Sequence, residues 1–155
     1  MDASMTPEDF YHDFLLIRKM RAPTNKRYRM LGELFAVNPN AWRVIGITEA
    51  ALKVFAEHDF KRASRMGINR SHLVERIQTY TTMLEGPLME CDEWWKFYVD
   101  TDKTVLATST ENMGKGEWSK IYDIDSSLGL FPSQGFAWRH KDPEINFLKE
   151  QWTQV

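Results

Sequence analysis

The side chains best suited to binding chemistry lie between Lys61 and Arg76, where five residues are basic and Glu75 is the one acid. Arginine and asparagine can each make two hydrogen bonds to a base edge, and lysine and arginine neutralise phosphates. The group predicted to contact bases consists of Asn69, Arg70, Ser71 and His72. The group predicted to hold phosphates consists of Lys61, Arg62, Arg65 and Arg76.

Two helices joined by a tight turn would position these side chains. Ala63 is small enough for a second helix to cross there, and Gly67 permits the backbone conformation of a turn. Leu73 and Ile77, four residues apart, give the second helix an apolar face. With Met66 and Ile68 as further packing residues, the pattern over residues 60–77 resembles the helix-turn-helix of DNA-binding proteins. A helix pair with a purely structural role is the alternative.

The resemblance implies a small nucleic-acid-binding protein, a regulator with duplex DNA as its favoured partner. One such motif buries little surface on DNA, so a homodimer is expected. A second basic run, without acids, could also track phosphates or be a solvated loop. Its basic residues are Arg18, Lys19, Arg21, Lys26, Arg27 and Arg29.

Acid pairs suggest a different chemistry. Asp100 with Asp102, and Asp123 with Asp125, would lie on one face of a strand and could share Mg²⁺. With such a site the protein would be a metal-dependent enzyme acting on nucleic acid. Alternatively, these carboxylates are simply exposed to solvent and bind no metal. The histidines show no zinc-binding spacing, so no catalytic residue, metal ligand or cofactor is assigned and the prediction leans away from an enzyme.

The two halves of the chain differ in charge. Residues 1–84 carry 13 Lys and Arg against 9 Asp and Glu, whereas residues 85–155 carry 7 against 13. A protein–protein adaptor or inhibitor with an acidic, tryptophan-rich face is therefore the alternative function, with a protein partner at the acidic C-terminal half. Trp94 and Trp95 are adjacent: either one is exposed at an interface, or both belong to a small aromatic core.

The composition predicts an α+β protein, because 155 residues that are 43% hydrophobic can form a packed core. We expect a helical part over residues 1–85, and a small antiparallel β-sheet with a C-terminal helix over 86–155, packed as one domain. Thr6 and Thr48 are predicted helix caps. The lone Cys91, the lack of a secretory signal and the lack of a long apolar run predict a cytoplasmic protein that does not enter membranes.

Overall fold

The computed structural model describes residues 4–114 and 117–155 of the chain. Over these residues it forms seven α-helices, six β-strands and one 3₁₀ turn, Ser126–Leu128. The helices are α1 Pro7–Lys19, α2 Thr24–Phe35, α3 Glu49–Glu57, α4 Arg76–Glu85, α5 Cys91–Thr101, α6 Ser109–Asn112 and α7 Asp142–Trp152. The strands are β1 Arg43–Thr48, β2 Ile68–His72, β3 Lys103–Thr108, β4 Ile121–Asp123, β5 Ser133–Gln134 and β6 Ala137–Trp138. The α+β class is confirmed, and among the described residues no helix is both long and apolar enough to cross a membrane.

The chain divides into two compact units, each built from two segments. The helical unit comprises Met1–Ala41 and Val74–Asp102, and the sheet unit comprises Trp42–Leu73 and Lys103–Val155. The predicted boundary near residue 85 does not coincide with this division. Helices α4 and α5 lie in the chain between β2 and β3, so one unit interrupts the other.

The helical unit contains α1, α2, α4 and α5 and has an aromatic core. Its first helix begins as predicted: the Asp9 amide donates to Thr6 Oγ1 (3.2 Å), and Pro7 occupies the first turn. In the core, the rings of Phe35 and Tyr98 stack with centroids 3.9 Å apart. Trp94 is fully buried and Trp95 is half-buried against the same cluster, so both tryptophans contribute to the core of this unit.

The sheet unit is built on a four-stranded sheet of order β2-β3-β1-β4. Strands β1 and β3 are parallel, while β2 and β4 run antiparallel to their neighbours, so the sheet is mixed rather than antiparallel as predicted. Each parallel strand leads directly into a helix, α3 or α6, capped by Thr48 or Thr108. The core of the unit comprises Val44, Ile47, Ala51, Leu52, Phe55, Leu106, Ile124, Phe131, Trp138 and Leu148.

Residues 60–77 do not form a pair of helices, which corrects the predicted helix-turn-helix geometry. Gly67 has a positive φ of 71°, but strand β2 follows it and helix α4 begins only at Arg76. All five residues of β2 pair with β3, and this pairing outweighs the weak helical preference of residues such as asparagine, serine and histidine. Leu73 and Ile77, predicted to pack between helices, are 50% and 58% exposed.

Candidate nucleic-acid interface

The eight predicted contact residues fall in three places. Lys61, Arg62 and Arg65 are exposed in the segment before β2, which we call the basic loop, residues 58–67. The residues predicted to contact bases form most of strand β2, from Asn69 to His72. Arg76 begins α4 and belongs to the helical unit. The structure therefore brings three of the predicted phosphate contacts together on one exposed loop.

Arg70 and Ser71, predicted to contact bases, are buried, with 5% and 2% of their surface exposed. The guanidinium of Arg70 donates to Ser133 Oγ (3.2 Å) and to the carbonyl oxygen of Gly135 (3.0 Å), and it lies 4.8 Å from the ring centroid of Trp42. Successive residues of a strand point to opposite faces of the sheet, so Arg70 and Ser71 are buried on different faces. Arg70 therefore fixes the β5–β6 hairpin.

The other two predicted base contacts are half-buried. Asn69 Nδ2 donates to Ser109 Oγ at 3.0 Å, which connects the start of β2 with the start of α6. The His72 ring meets the edge of Trp42 with centroids 4.7 Å apart. Both side chains are thus engaged within the sheet unit.

The backbone of the basic loop is held in an unusual conformation. Asp59, Phe60 and Arg65 have φ angles of 54°, 63° and 63°, in the left-handed region that side chains with a Cβ rarely adopt. The Phe60 amide donates to the Phe55 carbonyl at 2.7 Å, which ties the loop to the end of α3. Strained residues of this kind persist where surrounding contacts fix them, and they concentrate at functional sites.

His140 provides one of these contacts. Trp138 Nε1 donates to His140 Nδ1 (3.4 Å), so the neutral ring carries its proton on Nε2, which donates to the Phe60 carbonyl (2.9 Å). The ring also stacks on Phe55, with centroids 5.2 Å apart. Burial lowers the pKa of His140 and outweighs the hydrogen bond to Phe60 and the charge of Glu144, which raise it. A neutral His140 therefore anchors the loop at one of its strained residues.

A cavity of about 480 Å³ opens beside the basic loop. Arg62 and Arg65 line it together with Phe55, Asn69 and Trp138. The guanidinium carbon of Arg62 lies 4.2 Å from the centroid of the Trp138 ring, within the range of a cation–π contact. The cavity thus combines two arginines with aromatic walls, a composition that suits an anionic or aromatic ligand.

The cavity lies near the carboxyl ends of the parallel strands. Ile68 pairs with Thr108, the last residue of β3, and the Ser109 amide donates to the Gly67 carbonyl at 2.7 Å. In open sheets of α/β proteins, ligands bind beyond the carboxyl ends of parallel strands. The same edge of this smaller sheet therefore presents the basic loop and its cavity.

Glu111 fixes this edge of the sheet from the inside. Its Oε1 accepts hydrogen bonds from Thr48 Oγ1 (2.7 Å) and the Thr108 amide (3.0 Å), and its Oε2 accepts from the Ser119 amide and hydroxyl (both 2.9 Å). Burial raises the pKa of Glu111, but these hydrogen bonds outweigh burial and lower the pKa to about 2. A carboxylate so fully bonded is a structural anion rather than an acid–base group.

The acid pairs considered as Mg²⁺ ligands lie in different settings. Asp100 is in helix α5, not in a strand, and forms an ion pair with Lys96. Asp123 is exposed in β4, and Asp125 accepts from the Ser127 amide (2.9 Å) to cap the 3₁₀ turn. Asp125 therefore has a structural role at a turn.

Two residues of the second basic run have structural contacts, and the other four are exposed. The guanidinium of Arg18 donates to the carbonyls of Met83 and Gly86, and Arg27 forms an ion pair with Glu85 (2.9 Å). These two arginines hold the helices of their unit together. The exposed basic residues of the run are Lys19, Arg21, Lys26 and Arg29.

Sequence reasoning missed the residues of the sheet unit that support the basic loop. Trp138 and His140 lie far along the chain from the loop, with His140 80 positions after Phe60. No local sequence pattern indicates that they contact the loop. A local signal could have placed Phe136 at the tip of the β5–β6 hairpin. A glycine followed by one further residue, here Gly135 and Phe136 between two short strands, is typical of a two-residue hairpin turn.

Comparison with known proteins gives no guide to this site. The chain matches no protein-family model, no curated protein and no solved structure. The interpretation of the site therefore depends on its own residues.

Proposed function

We propose that this protein binds nucleic acid through the basic loop and the cavity beside it. The observation that carries the proposal is the grouping of Lys61, Arg62 and Arg65, all exposed, on a loop whose backbone is fixed. Cations carried on a fixed backbone lose less conformational entropy on binding than cations on a flexible loop. Phosphates are the anions that such a group of arginines and lysines suits best.

The three cations have different roles in the proposal. Lys61 neutralises a phosphate outside the cavity, and Arg65 neutralises one at the cavity wall that it lines. Arg62, whose guanidinium carbon lies 4.2 Å from the centroid of the Trp138 ring, offers its N–H groups to the ligand. The buried Arg70 and Ser71 take no part, so the proposal no longer includes a recognition helix that reads bases. The predicted regulatory role depends on the same binding and stays a prediction.

Removing two charges from the loop tests this proposal. Arg62→Ala with Arg65→Ala is expected to weaken binding at least tenfold at moderate salt, because two phosphate contacts are lost. The slope of log affinity against log salt should fall by about 1.5, since each contact releases counterions. The measurement is fluorescence anisotropy with a labelled 20-nucleotide DNA, single-stranded and duplex, over a range of salt concentrations.

Lys53→Ala with Lys149→Ala is the matched control. Both lysines are exposed in helices of the sheet unit, outside the basic loop, and their loss changes the net charge equally. If both double variants weaken DNA binding equally, the effect depends only on the net charge of the protein. That result would contradict a binding site at the loop. Absence of binding by the unmodified protein at low salt would overturn the proposed function itself.

Protein binding is a second candidate, favoured by an apolar groove between α1 and α2. Leu16, Met20 and Met30 are 55%, 42% and 38% exposed along a groove of about 930 Å³. Two basic residues, Lys26 and Arg29, and two acidic residues, Asp13 and Glu33, border it. These features suit the apolar face of an amphipathic helix of a partner. The alternative of a tryptophan-rich face has less support, because each of the six tryptophans is buried or half-buried.

A designed peptide tests this second candidate. A labelled 16-residue helix with leucines at helical spacing is expected to bind more tightly than the same helix with serines in place of the leucines. Leu16→Glu should abolish the binding, while Leu88→Glu, at another exposed leucine of the helical unit, should leave it unchanged. Equal binding of the two peptides would argue against the apolar groove as a recognition feature.

A further inference from the structure

Phe136 is the most exposed large hydrophobic side chain among the described residues, with 86% of its surface accessible. It lies at the tip of the hairpin between β5 and β6, directly after Gly135, whose φ is 67°. A ring in this position contributes almost nothing to the core. Burying it against a partner would gain the large contact area that aromatic side chains provide.

The hairpin that carries Phe136 is firmly held. The buried Arg70 donates to the Gly135 carbonyl at 3.0 Å, one residue before the ring, and to Ser133 Oγ at 3.2 Å. Ser133 Oγ donates in turn to the Gly135 carbonyl at 3.3 Å. The backbone beneath Phe136 is therefore positioned before any ligand arrives, which lowers the entropic cost of a contact made by the ring.

The exposed ring lies two residues from a side chain that contacts the basic loop. Trp138 lies two residues after Phe136, so their α-carbons are at most about 7 Å apart. Arg62 of the basic loop stacks on this same Trp138. An exposed aromatic ring beside phosphate-binding cations is the combination by which proteins hold single strands, since bases stack on the ring while the backbone follows the charges. Paired bases inside a duplex present no free faces to such a ring.

We propose that Phe136 is a base-stacking side chain and that the nucleic acid bound at the basic loop is single-stranded. This inference depends on the proposed function, because it assigns the ring to the same ligand as Arg62 and Arg65. It replaces duplex DNA, the partner expected from the sequence, with a strand whose bases are unpaired. One base stacks on Phe136, and phosphates of the same strand contact the loop.

Phe136→Ala is expected to weaken binding of a labelled 20-nucleotide single-stranded DNA about tenfold or more, the order expected for one stacked base. Binding of the same sequence as a duplex should change less than twofold. Phe136→Trp should retain the affinity, whereas Phe136→Leu, which is apolar but has no ring, should behave like the alanine variant. Anisotropy titrations measure all four proteins, and circular dichroism checks that each is folded.

Leu128→Ala is the control, since Leu128 is 57% exposed in the 3₁₀ turn of the same unit. A strand with abasic sites at its central positions should bind the unmodified protein and Phe136→Ala equally well. If Phe136→Ala or Phe136→Leu binds the normal single strand as tightly as the unmodified protein, the stacking role is overturned. Weakened binding in Arg62→Ala with Arg65→Ala would then leave the proposed function standing, so the two failures are distinguishable.

Discussion

Arg70→Ala is expected to lower the free energy of unfolding by roughly 2–4 kcal/mol, the sum of lost hydrogen bonds to a charged donor and lost cation–π contact. Arg70 is buried and holds Ser133 and Gly135 of the hairpin while lying over Trp42. Chemical denaturation followed by fluorescence measures the loss. Hydrogen exchange should show that amides of the hairpin lose protection.

Arg70→Lys separates the shape of the guanidinium from its charge. Lysine keeps the charge but lacks the planar fork that reaches two acceptors, so we expect roughly half of the destabilisation of the alanine variant. A base-reading Arg70 would give the opposite pattern: lost DNA binding with unchanged stability. If Arg70→Ala unfolds at the same denaturant concentration as the unmodified protein, the structural role of this arginine is refuted.

Acidification is expected to destabilise the sheet unit through Glu111. Its pKa is lowered from the ordinary 4.5 to about 2 in the folded protein, so the carboxylate contributes its full stability above about pH 4.5. This contribution declines as the pH falls and is gone below about pH 2. Between these values the loss is about 3 kcal/mol. Denaturant titrations at pH 7, 4.5 and 3 measure the part of this loss that occurs above pH 3, about 2 kcal/mol.

Glu111→Gln should flatten this pH dependence and lower stability at pH 7, because the amide cannot accept every hydrogen bond that the carboxylate accepts. Some acid sensitivity should remain through Glu144: burial raises the pKa of this carboxyl, but hydrogen bonds from Arg139 and from the amides of Lys141 and Phe131 together outweigh burial and lower the pKa. Glu117→Gln, at an exposed position of the same unit, is the control. An unchanged pH profile in Glu111→Gln would contradict the role assigned to this network.

Local signals in the sequence predicted several helix starts correctly. Thr6 and Thr48 cap α1 and α3 because a threonine hydroxyl can accept a hydrogen bond from an amide three residues later. These are contacts between near neighbours, so the chain encodes them regardless of what surrounds them. Helix α4 ends at another local signal, Gly86.

Segments with mixed signals were predicted less well, since tertiary contacts decide them. Residues 94–106 combine aromatic and β-branched residues, which favour strands. The structure instead divides them between helix α5 and strand β3, because Trp94 and Tyr98, four residues apart, bury one helical face in the aromatic core. Residues 68–72 form a strand for the converse reason, since β3 offers them a complete set of partners.

The candidate site was predicted in part. Charge and spacing identified Lys61, Arg62 and Arg65, and their exposure agrees with a solvent-facing role. The sequence did not show that Arg70, of the same residue type and five positions from Arg65, is buried. Its burial depends on which face of β2 meets the hairpin, and the strand register sets that face. The pairing of β2 with β3, a strand distant in the sequence, distinguishes the two arginines, and local sequence patterns do not indicate this pairing.

The interruption of the sheet unit by α4 and α5 has a consequence for the order of folding. The strands of the sheet come together across long stretches of chain; the contact of Thr104 Oγ1 with the Trp42 carbonyl, for example, joins residues 62 positions apart. Closing such loops costs entropy before any pairing is gained, whereas helices form from neighbouring residues within microseconds. We therefore expect pairing of the strands to be the slow step of folding. Before β3 pairs with its neighbours, the backbone groups at the edge of β1 and in β2, which follows the basic loop, remain unpaired.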